Sequence, residues 1–479
     1  MDKRQWLTAG LALAFTACTA AKDAGSVLQR ARTAMGDVTS LSYSGIGMNA
    51  QFGYGMNVGE PWPRRDLAGF TRTINYDQRA MRDELAFAQA LPGGQQQNQL
   101  VRGDMAWDAG AGGPVPQLTV AEERQLHIWL TPHGFVKAAM AVADIKLSET
   151  DGGDVITFTA LGRYPVSGTI DHRGLVSRVA TMVPAQVLGD TELVATYSGY
   201  REFDGIQFPT RIEIEQGGFP VWELNITNAI PNAPFDLPVP GEVQAATIPP
   251  ERVVSTEVTN GVWHLTGGPH HHHSVLVEFD EYVAVVEAPE NEVRSLAVID
   301  EVRRLVPNKV IQYIVTTHHH FDHLGGVRTY VAEGATVVAH EASVPYFKRW
   351  FARPATLLPD RQGRNPRTPT VVGVSDKYEI TDGKQTMRVY TTSGDNHTAL
   401  YTLAYLPGPK VLVQNDAYSP GPGEIPPPAA PPENAIAFYD AIQPLKLDIR
   451  IIVPIHGPRA ITMAEFLKFV GKEQASVRR

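Results

Sequence analysis

The sequence predicts an α+β protein in two unlike parts: a mainly antiparallel β domain, then a mixed sheet layered with helices. Three observations carry that expectation. A chain of 479 residues exceeds what one ordinary core accommodates, so two domains are expected. Short alternating apolar and polar stretches, broken by Gly, Asp and Asn, crowd residues 154–230, as antiparallel strands joined by tight turns would. A proline cluster, Pro231–Pro240 and then Ile248-Pro-Pro250, closes that region and reads as a linker, which places the boundary near residue 248.

From the N-terminus, Met1–Arg4 is a short basic start, and QWLTAGLALAFTA is an apolar run too short to span a bilayer as a mature helix. Residues 1–21 therefore read as a secretory signal. Phe15-Thr16-Ala17-Cys18 resembles a bacterial lipoprotein box, with Phe15 where Leu is usual. Lipidation at Cys18 and plain cleavage after Ala21 both remain open, giving a protein anchored to the envelope or free in the periplasm. No later segment is long and apolar enough to cross a membrane. Cys18 is the only cysteine, so no internal disulfide and no Cys-based metal site can form. A net charge of -9, with no Lys/Arg stripe, argues against a nucleic-acid partner and for a small-molecule substrate.

The mature N-terminal domain, residues 22–248, opens with an amphipathic helix over Ala24–Met35. A helical insert around Ala121–Val142 precedes the strands DVITFTAL, VSGTID, LVSRVATMV, ELVATYSGY, FPTRIEIEQ and VWELNITNAI. Their rhythm and the phrase DGIQFPTRI resemble the curved half-barrels of periplasmic lipoprotein carriers and related lipid-binding modules. In residues 249–479, GVWHL, SVLVEF and YVAVVEA are short strands, and NEVRSLAVIDEVRRL has helical period. IQYIVTT is a continuous apolar strand, with ATVVAH, MRVYTT, YTLAYL, VLVQN and IRIIVPI after it and helices near Asn434–Ile442 and Ile461–Val470.

Directly after IQYIVTT comes HHHFDHLGG. In an extended loop alternate side chains point the same way, so His318, His320 and Asp322 can converge while His319 and Phe321 point elsewhere. His323 would open the next helix, with Gly325-Gly326 allowing close backbone packing. Neutral imidazole and carboxylate groups clustered in this way suit a divalent metal such as zinc. A polar loop with surface histidines is the bland alternative, and four histidines with an aspartate in six positions speak against it.

The pattern His-x-His-x-Asp-His resembles the signature of the metallo-β-lactamase fold superfamily, and three further motifs follow in order, each after an apolar strand. Ser393-Gly-Asp-Asn-His397-Thr398 resembles the family's Gly-x-x-His-Thr loop, Val411–Asp416 ends a strand in a carboxylate, and Ile452-Val-Pro-Ile-His456-Gly457 matches its last histidine. The resemblance covers about residues 253–470 and implies a four-layer αβ/βα sandwich with a binuclear site. His318, His320 and His397 would hold the first metal, Asp322, His323 and His456 the second, and Asp416 would bridge them. Two divalent ions, zinc or in its place iron or manganese, would hold a bridging hydroxide that attacks an ester, lactone, thioester or amide carbonyl, with Asp322 as the catalytic carboxylate. The family often has Asp where this chain has Glu287, which leaves a supporting carboxylate of different reach. Asp416 makes the site resemble the glyoxalase II and lactonase branches more than the zinc β-lactamases.

The run His270–His273 lies where the family's first hairpin loop overhangs the metals, so His273 is a candidate substrate contact, and Tyr418 a candidate oxyanion donor. His127, His133, His172 and His340 read as structural. Tyr346–Arg367, mixing aromatics and arginines, is either a lid or a packed helix and loop. The competing function readings are a β-lactam hydrolase and a lipid- or peptide-binding periplasmic module with a scaffold-like metal domain. Oligomeric state is not legible in the sequence.

Overall fold

The computed structural model describes residues 23–89, 94–267, 272–423 and 426–473. Residues 1–21, read above as a secretory signal, and with them Cys18, lie outside the described residues. The first helix forms over Ala24–Met35, its start fixed by a capping box in which Asp23 accepts from the Ser26 amide and Ser26 answers the Asp23 amide. It buries Val27, Leu28, Ala31 and Met35.

The N-terminal half is one thirteen-stranded antiparallel sheet. Ser40–Ala50 and Phe219–Pro231 pair at its middle. Six strands run outward from there between Ser40 and Pro116, and the others return between Lys146 and Pro231. The helical insert expected around Ala121–Val142 forms as two helices with a break between them, Ala121–Trp129 and Pro132–Met140. The break follows from Thr131, whose side chain caps the Gly134 amide, and from Pro132 at the first helical position. Phe135 of the second helix presses on the sheet at Gly168, where a Cβ would lie 2.2 Å from the ring. Leu28, Ala31, Phe135 and Ala139 share one core with Ile170, Val179 and Ala195, so the helices fill the sheet's apolar face.

The proline-rich stretch is not a free linker. Leu237 and Val243 pack with Ala80, Leu100 and Trp107, and Arg102 donates to the Leu237 carbonyl, which fastens the stretch to the sheet.

Two further sheets build the C-terminal half, seven strands from Val254–Thr259 to Val371–Val374 and six from Lys377–Thr381 to Ile461–Thr462. Their facing sides share a core in which Val275, Val286 and Val315 meet Val389, Val413 and Val453. On the first sheet's outer side lie the helices Glu292–Leu305, Val327–Glu333 and Val344–Phe351; on the second's lie Glu433–Ile442 and Met463–Phe469. This is the αβ/βα layering expected from the sequence. Among the described residues no helix is long and apolar enough to cross a membrane.

The halves interlock. The turn after Val176–Ala185 puts Val187 and Leu188 into the outer core of the second half. Beside them the Asp190 carboxylate accepts from the Thr356 amide at 2.7 Å and its hydroxyl at 2.6 Å. The aromatic-arginine segment serves that joint rather than a lid. Phe347, Trp350 and Phe351 are buried, and Arg328 binds the carbonyls of Trp350, Phe351 and Arg353 while pairing with Asp360.

Candidate metal centre

Val310–Val315 pairs in parallel with Tyr282–Val286 on one side and Thr336–His340 on the other, so it is an interior strand and its end is rigidly placed. The loop after it carries His318 and His320, and the short helix Phe321–Leu324 carries Asp322 and His323. His397 follows the strand Thr386–Ser393, Asp416 follows Val411–Gln414, and His456 follows Ile451–Pro454. Four strand ends thus deliver seven side chains to one place.

Their ligand atoms form groups joined by Asp416. His318, His320, His397 and Asp416 make one group; His323, His456 and Asp416 make another, all within 4.8 Å inside each group. Asp416 Oδ2 lies 2.6 Å from His397 Nε2 and 3.5 Å from His318 Nε2. Its Oδ1 lies 2.9 Å from both His323 Nε2 and His456 Nε2. Asp322 Oδ2 is 3.6 Å from His323 Nε2.

The far side of each ring shows which nitrogen faces the centre. His323 Nδ1 is bound by Glu287 Oε2 at 2.5 Å, so Nε2 is turned inward. His320 Nε2 meets the Gly55 carbonyl at 3.0 Å, so Nδ1 is turned inward, 2.9 Å from His397 Nε2. His318 Nδ1 meets the Thr317 hydroxyl at 3.2 Å. Such outer contacts orient metal-binding histidines and raise their basicity. The Asp395 carboxylate likewise accepts from the His397 amide, the Thr398 amide and the Tyr401 hydroxyl, which fixes the loop carrying His397.

The electrostatics favour cation binding. Burial drives His318 well below the ordinary histidine value, and His323 nearby adds to this against the pull of Asp416. Burial and then His397 push His320 down to about 2. These rings are neutral, the form that offers a lone pair. Burial would raise Asp416, but the neighbouring His323 outweighs it and holds the carboxyl well below its usual range. His318 Nε2, which faces Asp416, is buried with no hydrogen-bond partner, and so is Asp322 Oδ1. Buried polar atoms are ordinarily satisfied, and a divalent ion satisfies this donor set.

Two candidates from the sequence are not in the site. His273 is 2% exposed, turned inward edge-on to His264 with ring centroids 5.2 Å apart. It serves the centre only through its amide, which binds the Ile455 carbonyl beside His456. Tyr418 is 3% exposed with its ring packed on Phe469 and Phe466 of the last helix, so it is not presented as an oxyanion donor. The neighbouring His272 does reach the ligands: its Nε2 is 3.6 Å from Asp322 Oδ2, and it groups with Asp322 and His456. Strand alternation points side chains one way or the other by a single residue, and the run of four identical histidines hid which one faced in. His270 and His271 lie outside the described residues. Sequence reading also missed Gly55 and its neighbours, whose only local signal is an aromatic residue between two glycines in Gly53-Tyr54-Gly55.

Residues 267–456 match the sequence model of the Metallo-beta-lactamase superfamily, and all seven proposed ligands fall within them. The C-terminal half carries a metallo-beta-lactamase superfamily domain. As such it is in general terms a metal-dependent hydrolase domain with a divalent-metal site. Among solved structures, a metallo-beta-lactamase from Pontibacter korlensis is 19% identical over 46% of this chain and 98% of its own, with a TM-score of 0.36. A metallo-beta-lactamase of Pseudomonas aeruginosa in its mono-zinc form is 18% identical over 47% of this chain and 96% of its own, at 0.34. One from Hirschia baltica is 16% identical over 46% and 98%, also at 0.34. No curated protein matches the chain.

Proposed function

We propose that the protein is an exported, binuclear metal-dependent hydrolase that opens the carbonyl group of a small ester, lactone, thioester or amide. The observation that supports it most is Asp416, whose two oxygens face separate histidine groups at 2.6 and 2.9 Å. Two divalent ions bound there, zinc or else iron or manganese, would supply Lewis acidity towards a carbonyl and a water acidic enough to attack near neutral pH.

The chain's own residues hold the reactants and move protons. Asp322 has a buried, unpartnered Oδ1 and is placed to take up the proton released on attack and return it to the leaving group. His318, His320 and His323 form a dry floor. His397 and His456 are 34% and 20% exposed, which marks their side as the entrance for substrate. Asp416, together with the large additional domain, favours lactones or esters over β-lactams. The acidic balance of the chain favours a small molecule over nucleic acid. The basic start and apolar run before residue 22 support export, with the mature protein periplasmic or lipid-anchored at Cys18.

The test is a panel of lactones, esters, thioesters, amides and β-lactams, assayed with metal-loaded protein and with Asp322→Ala. Turnover of one carbonyl class, lowered by about 10²-fold or more in the variant, is expected. A metal-loaded protein that turns over none of them would contradict the reading.

A further inference from the structure

The segment Gln51–Pro63 joins the first two strands of the N-terminal sheet, yet its contacts are with the metal centre. Its base is closed by the Gln51 amide on the Pro63 carbonyl at 2.8 Å. Phe52 and Trp62 clamp Phe321, the residue between His320 and Asp322, with ring centroids 5.3 and 5.4 Å away. The Phe321 amide donates to the Gly53 carbonyl at 3.3 Å. The Gly55 carbonyl, with two lone pairs, takes Nε2 of both His319 at 2.8 Å and His320 at 3.0 Å. The Met56 carbonyl takes the Ala399 amide at 3.0 Å and the Thr398 hydroxyl at 3.3 Å, on the loop that carries His397. Between these carbonyls the Tyr54 ring lies 5.1 Å from the His320 ring.

A turn whose purpose was only to reverse the chain would satisfy its carbonyls from its own domain or from water. Here three carbonyls of four consecutive residues, at Gly53, Gly55 and Met56, are spent on the loops carrying the candidate ligands. The Gly55 contact has a chemical consequence, because a carbonyl only accepts: His320 Nε2 must carry the hydrogen, and Nδ1 must carry the lone pair that faces His397. Gly53 sits at φ +88°, and a Cβ there would lie 2.4 Å from the Phe321 ring, so the close approach depends on glycine.

We propose that the N-terminal domain is a working part of the metal centre: the strap Gln51–Pro63 sets the tautomer of His320 through Gly55 and backs the His320 ring with that of Tyr54. Tyr54 is thereby a positioning residue. This rests on the metal-centre reading above, and the experiment separates the two. Full-length wild type, Tyr54→Ala, Gly53→Ala and a remote control, Gly112→Ala, which meets nothing within 4 Å, are stripped and titrated with zinc against a chromophoric chelator. They are also titrated with cobalt, read by its visible absorption. Tyr54→Ala removes the ring that lies against His320 and leaves the strap's glycines, so it tests the strap even if Gly53→Ala fails to fold.

The expected result is two ions in wild type and in Gly112→Ala. In Tyr54→Ala, and more strongly in Gly53→Ala, affinity for one ion falls about 10–100-fold and the cobalt spectrum changes. Two ions in wild type, with unchanged affinity and spectrum in Tyr54→Ala and Gly53→Ala, would overturn the role of the strap alone. No metal in wild type would overturn the strap and the hydrolase reading together.

Discussion

Glu287→Gln is the sharpest single perturbation of the site, because it keeps shape and changes one atom's hydrogen-bonding sense. Glu287 is fully buried; Oε1 accepts from the Thr317 amide and Oε2 binds His323 Nδ1, both at 2.5 Å. Both partners are donors when His323 Nε2 faces the centre, so a side chain with two acceptor atoms is required. Glutamine offers one acceptor and one amide group, and leaves either Thr317 or His323 facing a donor. Losing one charge-assisted bond costs about 1.5–3 kcal/mol, and the buried donor left unmatched about 1–3 kcal/mol more. The metal-free variant is expected to lose about 3–5 kcal/mol of stability by urea unfolding of the C-terminal half. Its zinc affinity at the His323 position should fall about 10–100-fold in chelator competition. Unfolding and zinc binding like wild type would refute the claim that Glu287 holds His323 with Nε2 inward.

Three other perturbations follow from the same geometry. Burial pushes His133, 3% exposed, from 6.5 down to about 4, so the folded state holds its proton more weakly than the unfolded chain does. The stability from keeping it neutral is complete above pH 6.5 and is lost as pH falls towards 4, about 3 kcal/mol in all; His133→Gln should flatten unfolding curves in that window. The Arg72–Asp83 pair is bidentate at 2.7 and 2.6 Å with side chains 5% and 3% exposed, so Asp83→Asn should cost about 3–5 kcal/mol, read by thermal denaturation. His272→Ala should weaken ion retention at the Asp322–His456 side and His273→Ala should not; equal effects would show that the loop matters only as a fold element.

The cluster of candidate ligands was legible because its information is local: His318, His320, Asp322 and His323 sit within six residues, and His397, Asp416 and His456 each close a recognisable apolar strand. The layered sheets of the C-terminal half were legible for the same reason, through the change from hairpin to strand-helix rhythm. What was not legible depends on contacts far apart in sequence. Gly55 lies 264 residues from His319, and nothing around QFGYGM marks it as a metal-site element. The direction of Tyr418 was decided by Phe466 and Phe469 arriving from the last helix, and that of His273 by His264 on the adjacent strand. The alternating strand rhythm marked the antiparallel sheet but not that helices fill its apolar face, where Phe135 lies on Gly168.

The most direct test of the account is the metal content of the purified mature protein, by elemental analysis after exhaustive dialysis, beside Asp416→Ala. About two zinc or similar divalent ions per chain, falling to one or fewer in the variant, is the predicted result. One ion or none after full reconstitution of wild type, or two ions retained without Asp416, would contradict a centre built on that bridging carboxylate.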